Sequence, residues 1–321
     1  MEQPHFPHHP HHPHFPHNPH FPHHPHFPNQ QFGEINQDRT TLDSIPSEEL
    51  EKARNSFKQY TFKDTVDPSK ILKYNLYIPE DYSKNEKYPL MLFIGDLSTV
   101  GIEKGAITMT VGGPIWATNT VQKKHKCIVL IPDYEDVIID DRNGLHMSEY
   151  VNITIRLISK LQNEYNIDSN RIYGTGQSMG AMTTLYLLAN NPNLFAAGLI
   201  ADGQWKIDEL VGIENATFTY FAAAGDEKAF NGQNEVKKYL DSRNIKYGCL
   251  NDINAKEQIE ILNNETKKMY DLGHKMNFIS FAKGTVISPN SVMKFEHMES
   301  FKYAYRIDTV RDWMFSQSKS K

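Results

Sequence analysis

The amino-acid sequence predicts an α/β domain built on a doubly wound, mostly parallel sheet. Short continuous apolar runs, at residues 90–94 and 127–131, are typical of strands buried on both faces of a parallel sheet. Helical segments with an apolar face alternate with such runs along the chain. Two earlier segments, residues 57–62 and 71–78, alternate apolar and polar residues, which is typical of half-buried antiparallel strands.

The elements follow in order from about residue 43. Ser47, followed by two glutamates, indicates a helix start that leads into residues 50–55. Pro79 and the polar residues 80–87 predict the turn before the first buried strand, and residues 95–126 form a long connection to the second. We expect further helices over residues 148–165, 179–189, 235–242, 255–272 and 301–315, and further strands at residues 172–173, 195–200, 218–223 and 277–281.

Residues 1–42 are expected to form a separate low-complexity tail and linker, and residues 43–321 the folded domain. The triplet Pro-His-X repeats from Pro4 to Phe27, and proline at every third position suits a polyproline II helix. Such a segment cannot bury a core, so we expect it to be disordered or extended in isolation. A weak divalent metal site, a pH-dependent tether and a solvated extension without a ligand are the open interpretations. The candidate metal ligands are His5, His8, His11 and His14.

Composition narrows the classes of function. The net charge of -5 argues against a nucleic-acid partner, because phosphate binding needs a clustered basic surface. Two cysteines give no disulfide framework. The start lacks a secretory signal and no apolar run reaches about 18 residues, so we expect no membrane insertion and, by default, a cytoplasmic location. Secretion by another route stays open.

A candidate nucleophile lies in the stretch Tyr-Gly-Thr-Gly-Gln-Ser-Met-Gly at residues 173–180. Ser178 is the centre of a Gly-x-Ser-x-Gly pattern, with a strand predicted before it and an apolar helix after it. That setting is typical of the nucleophile elbow of the α/β-hydrolase fold. Gly176 and Gly180 supply the room that a sharply bent backbone needs. The alternative is a glycine-rich turn that only caps a helix.

A serine hydroxyl needs a base to remove its proton. The histidines outside the tail are His125, His146, His274 and His297. In this fold the order is serine, acid, histidine, which excludes the first two. His274 directly precedes a predicted strand and so lies at the wrong end of the sheet. His297 follows a strand and a loop, and is the candidate base.

The acid must orient the imidazole and stabilise its charged form. Asp226 ends an apolar strand in a turn and is the candidate. Glu227 and Asp252 are alternatives. Asp202 follows an earlier strand and is expected to support the site.

Two backbone N–H groups must receive the developing oxyanion. One is expected from Met179, and the other from Asp96 or Leu97, after the first buried strand. Trp116, Gln177 and Trp205 are the candidate pocket residues. No cofactor, and no metal in the folded domain, is expected.

These segments resemble the esterase branch of the α/β-hydrolases that includes polyhydroxybutyrate depolymerases and feruloyl and acetylxylan esterases. The resemblance lies in residues 88–94, 168–180, 223–226, 297–305 and 311–315, and it implies Ser178, Asp226 and His297 as the catalytic residues. Many relatives have His-Gly where this chain has Gly95-Asp96, which places a negative charge near the oxyanion.

Three functions follow as hypotheses. The first is a serine carboxylester hydrolase that acts through an acyl-enzyme on a small-molecule or saccharide ester. The second is a peptidase of the prolyl-oligopeptidase type, against which the missing propeller domain counts. The third is an inactive scaffold with a metal-binding tail.

Overall fold

The computed structural model describes residues 45–292 and 294–320. The predicted tail, its candidate metal ligands and the domain boundary at residue 43 lie outside the described residues. In the part of the chain that is described, none of the helices is long and apolar enough to cross a membrane.

The centre of the domain is a sheet of nine strands in the order β1-β2-β4-β3-β7-β8-β9-β11-β10. β2 runs antiparallel to β1 and to β4, and all other neighbours are parallel. The strands are β1 Lys58–Lys63, β2 Ile71–Tyr77, β3 Tyr88–Ile94, β4 Ile128–Asp133, β7 Ile167–Gln177, β8 Ala197–Ala201, β9 Phe218–Ala223, β10 Gly248–Ile253 and β11 Met276–Phe281. A small antiparallel hairpin lies apart from this sheet, formed by β5 Ile139–Asp140 and β6 His146–Met147.

Helices cover both faces of the sheet. They are α1 Ser47–Arg54, α2 Gly105–Thr108, α3 Asn119–Lys124, α4 Tyr150–Glu164, α5 Met179–Asn190, α6 Glu227–Ser242, α7 Ile259–Asp271, α8 Glu296–Tyr305 and α9 Asp308–Phe315. Short 3-10 turns occupy Leu97–Thr99, Pro114–Ala117, Ile207–Glu209 and Ile213–Asn215. The predicted doubly wound, mostly parallel sheet with antiparallel N-terminal strands is confirmed.

Two apolar layers follow from the pleat of the strands. In β3 every residue is buried, and alternate side chains point to opposite faces. Leu90 and Leu92 pack into the layer beneath α4, α5 and α6, while Met91 and Phe93 pack into the layer beneath α1, α7 and α9. A continuous apolar run therefore gives a strand that anchors both halves of the core.

Some element boundaries were predicted wrongly. β7 was expected only at residues 172–173, yet it continues to the residue before Ser178. Residues 248–253 form an edge strand that was not predicted, because only one of its six residues is buried and such a strand carries little apolar signal. The helix expected over residues 255–272 begins only at Ile259, and the helix expected over residues 235–242 begins already at Glu227.

The single closing helix expected over residues 301–315 is two helices. α8 begins earlier, at Glu296, and ends before Arg306. Ile307 has an extended backbone, with φ -81° and ψ 111°. The guanidinium of Arg306 donates to the carbonyls of Ala255 and Glu257, both at 2.7 Å. These hydrogen bonds stabilise the break between α8 and α9. The apolar periodicity of residues 301–315 could not reveal this break, because it depends on contacts with another segment.

Candidate active site

The ends of the central strands place several polar residues along one edge of the sheet. Ile94 pairs with Gly176, and Gln177 pairs with Ala201. Ala223 pairs with Phe281 in the same parallel arrangement. The residues that follow these strands therefore meet at the carboxyl edge of the sheet, where α/β proteins bind ligands.

Ser178 lies alone between β7 and α5, in a strained backbone conformation. Its φ is 52° and its ψ is -109°, a region that non-glycine residues rarely adopt. A Cβ at Gly176 would overlap the backbone of Gly180, and a Cβ at Gly180 would overlap the carbonyl oxygen of Ile94. The N–H of Gly180 donates to the carbonyl of Gly95 at 3.1 Å. The two glycines thus let helix and strand approach closely enough to bend the chain at the serine.

One hydrogen-bonded line joins the three residues proposed from the sequence as nucleophile, base and acid. Ser178 Oγ lies 2.7 Å from His297 Nε2, and His297 Nδ1 lies 2.5 Å from Asp226 Oδ2. Because the carboxylate accepts from Nδ1–H, Nε2 is left to accept the serine proton. Asp226 is buried, whereas 32% of the His297 side chain is exposed, so the line is open to solvent at the histidine.

Two opposing effects act on the imidazole of His297. Burial lowers its pKa, but the hydrogen bond that His297 donates to Asp226 and the charge of that carboxylate outweigh burial, so the pKa is raised above 6.5. The charged form of the imidazole is therefore favoured. This is the form that exists after the imidazole has accepted a proton from a hydroxyl.

Glu296 connects the histidine to the aspartate turn, a role that the sequence did not indicate. Its carboxylate Oε1 accepts from the N–H of Gly284 at 3.2 Å. The same carboxylate lies so close to Gly225 that a Cβ at residue 225 would overlap it. Since Glu296 precedes His297 and Gly225 precedes Asp226, this contact fixes the spacing of imidazole and carboxylate.

The backbone N–H groups that are expected to form an oxyanion hole are available for hydrogen bonding. Within residues 45–292 and 294–320, those of Met179, Asp96 and Leu97 donate to no acceptor. The Asp96 side chain accepts from the N–H of Ser98 at 3.2 Å, from its hydroxyl, and from Gln177 Nε2 at 2.8 Å. Three donors thus bind the carboxylate of Asp96, the negative charge that this chain has where many relatives have His-Gly. Gln177, expected in the pocket, is buried and binds this loop instead.

The two tryptophans expected to wall the pocket differ. Trp116 is 0% exposed, its indole N–H donates to the carbonyl of Gly112 at 2.7 Å, and it packs edge-on against Tyr305 and Phe315. It has no surface to offer a substrate, so the pocket prediction was wrong for this residue. Trp205 is 6% exposed, and its Nε1 is buried without a partner among the described residues.

The alternative residues lie away from the line. His274 lies just before β11, at the amino ends of the parallel strands, which is the opposite side of the sheet from Ser178. His125 lies at the end of α3. His146 is exposed on the small hairpin. Asp252 is exposed on edge strand β10, and Glu227 is exposed at the start of α6. Among the residues that the structure describes, no group of three or more His, Cys, Asp or Glu side chains is placed to hold a metal ion.

Comparison with known proteins gives one family and several relatives. Residues 148–251, which contain the nucleophile turn, match the prolyl oligopeptidase family. Acetylxylan esterase A of Emericella nidulans is 54% identical over 41 residues, which is 13% of this chain and 14% of that protein. The chain therefore spans only a small part of that curated relative.

Similarity to solved structures extends over most of the chain. A thermostable esterase is 25% identical with a TM-score of 0.63, covering 84% of this chain and 64% of that one. The CE1 ferulic acid esterase of Anaeromyces mucronatus, in complex with ferulic acid, has 14% identity and a TM-score of 0.50, covering 80% and 91%. The predicted α/β-hydrolase fold and the resemblance to its esterases are confirmed. The likeness to polyhydroxybutyrate depolymerases stays a prediction.

Proposed function

We propose that this chain, which has an α/β-hydrolase fold, is a serine carboxylester hydrolase with Ser178 as its nucleophile. The observation that carries the proposal is the continuous line from Ser178 Oγ through His297 to Asp226, set on a strained turn between strand and helix. A hydroxyl whose proton can pass to an imidazole, itself oriented by a buried carboxylate, is equipped for acyl transfer.

The chemistry runs in two halves. His297 Nε2 takes the proton of Ser178 as Oγ bonds to the ester carbonyl carbon, whose oxygen becomes the oxyanion. The carbon–oxygen bond to the alcohol then breaks, and the alcohol leaves with the proton from the imidazolium. In the second half water bonds to the acyl carbon and gives a proton to the imidazole. The bond from the acyl carbon to Oγ then breaks, Oγ takes the proton back from the imidazolium, and the carboxylic acid leaves. Asp226 stabilises the imidazolium in both halves.

The oxyanion receives hydrogen bonds from backbone N–H groups in this mechanism. Met179 begins α5, so its N–H lies at a helix N-terminus where the helix dipole favours negative charge. The second donor is the N–H of Asp96 or Leu97. Because the Asp96 carboxylate is bound by Ser98 and Gln177, its charge is engaged by donors of the protein. Preorganised donors of this kind are each worth about 10²–10³-fold in kcat.

The resemblance to esterases favours an ester over a peptide. The relative with the highest TM-score above is an esterase, and the curated relative acts by its name on acetylxylan. Acetyl and feruloyl esters of sugars are therefore the first substrates to try, beside simple aryl esters. The match of residues 148–251 supports a second candidate, a peptidase of the prolyl-oligopeptidase type.

A panel of chromogenic esters of different acyl length, with acetyl and feruloyl sugars included, tests the proposal. We expect hydrolysis by the wild type, its loss in Ser178→Ala, and its retention in Ser159→Ala, a change at an exposed serine of α4. Labelling by a fluorophosphonate should require Ser178. Hydrolysis that survives Ser178→Ala would remove this residue as the nucleophile.

The same reagents separate the other hypotheses. Labelling at Ser178 with cleavage of prolyl anilides and no ester turnover would favour the peptidase. A folded protein with no labelling and no turnover of either class would favour an inactive scaffold. Zinc or nickel binding that disappears on deletion of residues 1–28 would then assign the function to the tail.

A further inference from the structure

A second aspartate, Asp202, is buried beside the proposed active site. It follows β8, between the ends of β7 and β9 in the sheet, and is 0% exposed. Its φ of 52° is left-handed, as is that of Ser178 on the neighbouring strand end. Such a conformation is uncommon outside glycine, asparagine and aspartate. The chain therefore bends sharply at residue 202 and turns the carboxyl inward.

The contacts of Asp202 lead to Asp226. Asp202 Oδ1 accepts from the backbone N–H of Ala223 at 2.7 Å, and the N–H of Asp202 donates to the carbonyl of Phe221 at 3.0 Å. The carbonyl of Ala223 in turn accepts from the N–H of Asp226 at 3.0 Å. The hydroxyl of Tyr220 donates to the carbonyl of Gly203, the residue that follows Asp202. The carboxyl of Asp202 thus holds the end of the strand that presents Asp226.

The surroundings of Asp202 disfavour the charged form of its carboxyl. Burial, and then the negative charge of Asp226, raise its pKa from 3.8 to about 8. The hydroxyl of Ser300 acts in the opposite direction and lowers the pKa, but it does not outweigh these two effects. Oδ2 is buried without a hydrogen-bond partner among the described residues, and in such a position a full charge costs more than a neutral oxygen. The titratable groups that face this carboxyl are Asp226, His297, Tyr220 and Tyr305. Burial raises the pKa of both tyrosines, so they stay neutral as Asp202 titrates.

We propose that Asp202 is a positioning residue, a neutral buried acid that holds the turn of Asp226 and leaves Asp226 as the anion that pairs with His297. The inference rests on the proposed function, since it assigns Asp226 its part in the hydrolysis. It also explains why two aspartates at adjacent strand ends coexist so close together. Two buried carboxylates that interact electrostatically repel each other, and one of them keeps its proton.

The pH dependence has a definite sign. Because its pKa is raised, we expect Asp202 to hold its proton at neutral pH and to leave the site intact. Above about pH 8, ionisation places a second negative charge beside Asp226 in a buried space, so kcat falls on the alkaline side. The folded state also keeps a proton that the unfolded chain releases near its pKa of 3.8, so this group destabilises the fold increasingly as the pH rises towards 8.

Two substitutions at residue 202 separate positioning from charge. Asp202→Asn keeps the oxygen that accepts from Ala223 and cannot ionise. Asp202→Ala removes the acceptor and leaves the Ala223 N–H unpaired. Asp252→Asn is a matched control, because Asp252 is also left-handed, with φ 60°, but is exposed on the edge strand.

The experiment measures kcat and KM for an aryl ester across pH, and melting temperatures at about pH 5 and about pH 8. We expect Asp202→Asn to retain kcat at neutral pH, to lose the alkaline fall, and to gain melting temperature relative to the wild type as the pH rises. We expect Asp202→Ala to lose about 10-fold or more in kcat with KM little changed, since the Asp226 turn is displaced. Asp252→Asn should match the wild type throughout.

The outcomes are distinguishable. An alkaline fall in Asp202→Asn equal to that of the wild type, or wild-type kcat in Asp202→Ala, would overturn the inference while the proposed function stands. If Asp202→Ala does not fold, the pH profile of Asp202→Asn decides alone. If no ester is hydrolysed and Ser178 is not labelled, the proposed function fails, and the melting temperatures still decide whether Asp202 is neutral when buried.

Discussion

The turn at Gly203 offers a steric test of how closely the nucleophile must be held. Gly203 follows Asp202 and packs against the first turn of α5. A Cβ at residue 203 would lie 2.7 Å from the carbonyl oxygen of Ser178 and 2.5 Å from Ala181 Cβ. Gly203 does not have a positive φ, so alanine is not excluded by its backbone conformation. The substitution Gly203→Ala therefore acts through contact alone.

The size of the effect follows from these distances. Ordinary van der Waals contact begins at 3.4 Å, so the carbonyl of Ser178 must move by about 0.7 Å. A misplacement of about 1 Å costs roughly 10²-fold in rate, so 0.7 Å is expected to cost about 25-fold in kcat. That is about 1.9 kcal/mol of transition-state stabilisation. Overpacking should also lower the free energy of unfolding by about 1–3 kcal/mol.

The assay is steady-state hydrolysis of an aryl ester, together with urea unfolding. Gly174→Ala is the control, because residue 174 lies on β7, the strand that leads to Ser178, and a Cβ there would lie 2.5 Å from the ring of Phe195 and not from the backbone of the nucleophile. We expect a similar loss of stability in both variants and a loss of kcat only in Gly203→Ala. Wild-type kcat in a folded Gly203→Ala protein would refute the idea that this turn positions the nucleophile.

Three further changes test the electrostatics of the domain. Asp226→Asn should lower kcat by about 10⁴-fold and, because the anion that raises the pKa of His297 is lost, move the acid limb of the residual rate to lower pH. Asp96→Asn should move that limb in the same direction, since the charge of Asp96 also raises the pKa of His297. An unmoved limb in the kcat/KM profile of either variant would contradict the assignment. Asp64→Asn removes a buried carboxylate that binds Arg156 at 2.6 and 3.0 Å, and should lower the free energy of unfolding by about 2–3 kcal/mol. The loss is smaller than for a fully buried ion pair, because Arg156 keeps some contact with water. The pKa of Asp64 is lowered below 3.8, chiefly by Arg156, so its contribution is present above pH 3.8, and urea unfolding should show the two proteins converging as the pH falls further.

The elements that place the site were predictable because their signals are local. A short apolar run such as residues 90–94 has few ways to fold other than as a buried strand. The spacing of Gly176, Ser178 and Gly180 reports a steric requirement within one turn of chain. The order of serine, acid and histidine then limits the base to the end of the sequence. The first two inferences need only residues that are neighbours in sequence, and the third needs only the order of three residues along the chain.

The features of the fold and the site that were not predicted depend on contacts between segments that are distant in sequence. Trp116 follows a strand, as a pocket residue would, but the 95–126 connection turns it into the core against Tyr305 and Phe315. The contact between Glu296 and Gly225 joins residues far apart in the chain, and no spacing rule connects them. Only one of the six residues of edge strand β10 is buried, so the strand lacks the apolar pattern by which strands are recognised.

Burial explains how one residue type fills two roles at adjacent strand ends. Asp202 and Asp226 both follow apolar strands, and composition cannot rank them as partners of the histidine. Asp226 reaches Nδ1 of His297, and that cation compensates its charge when the imidazole is protonated. Asp202 has a backbone N–H on one oxygen and no partner on the other, so ionisation would leave a charge uncompensated. We therefore infer that the two carboxyls divide into an anion and a neutral support, because α8 brings His297 to Asp226.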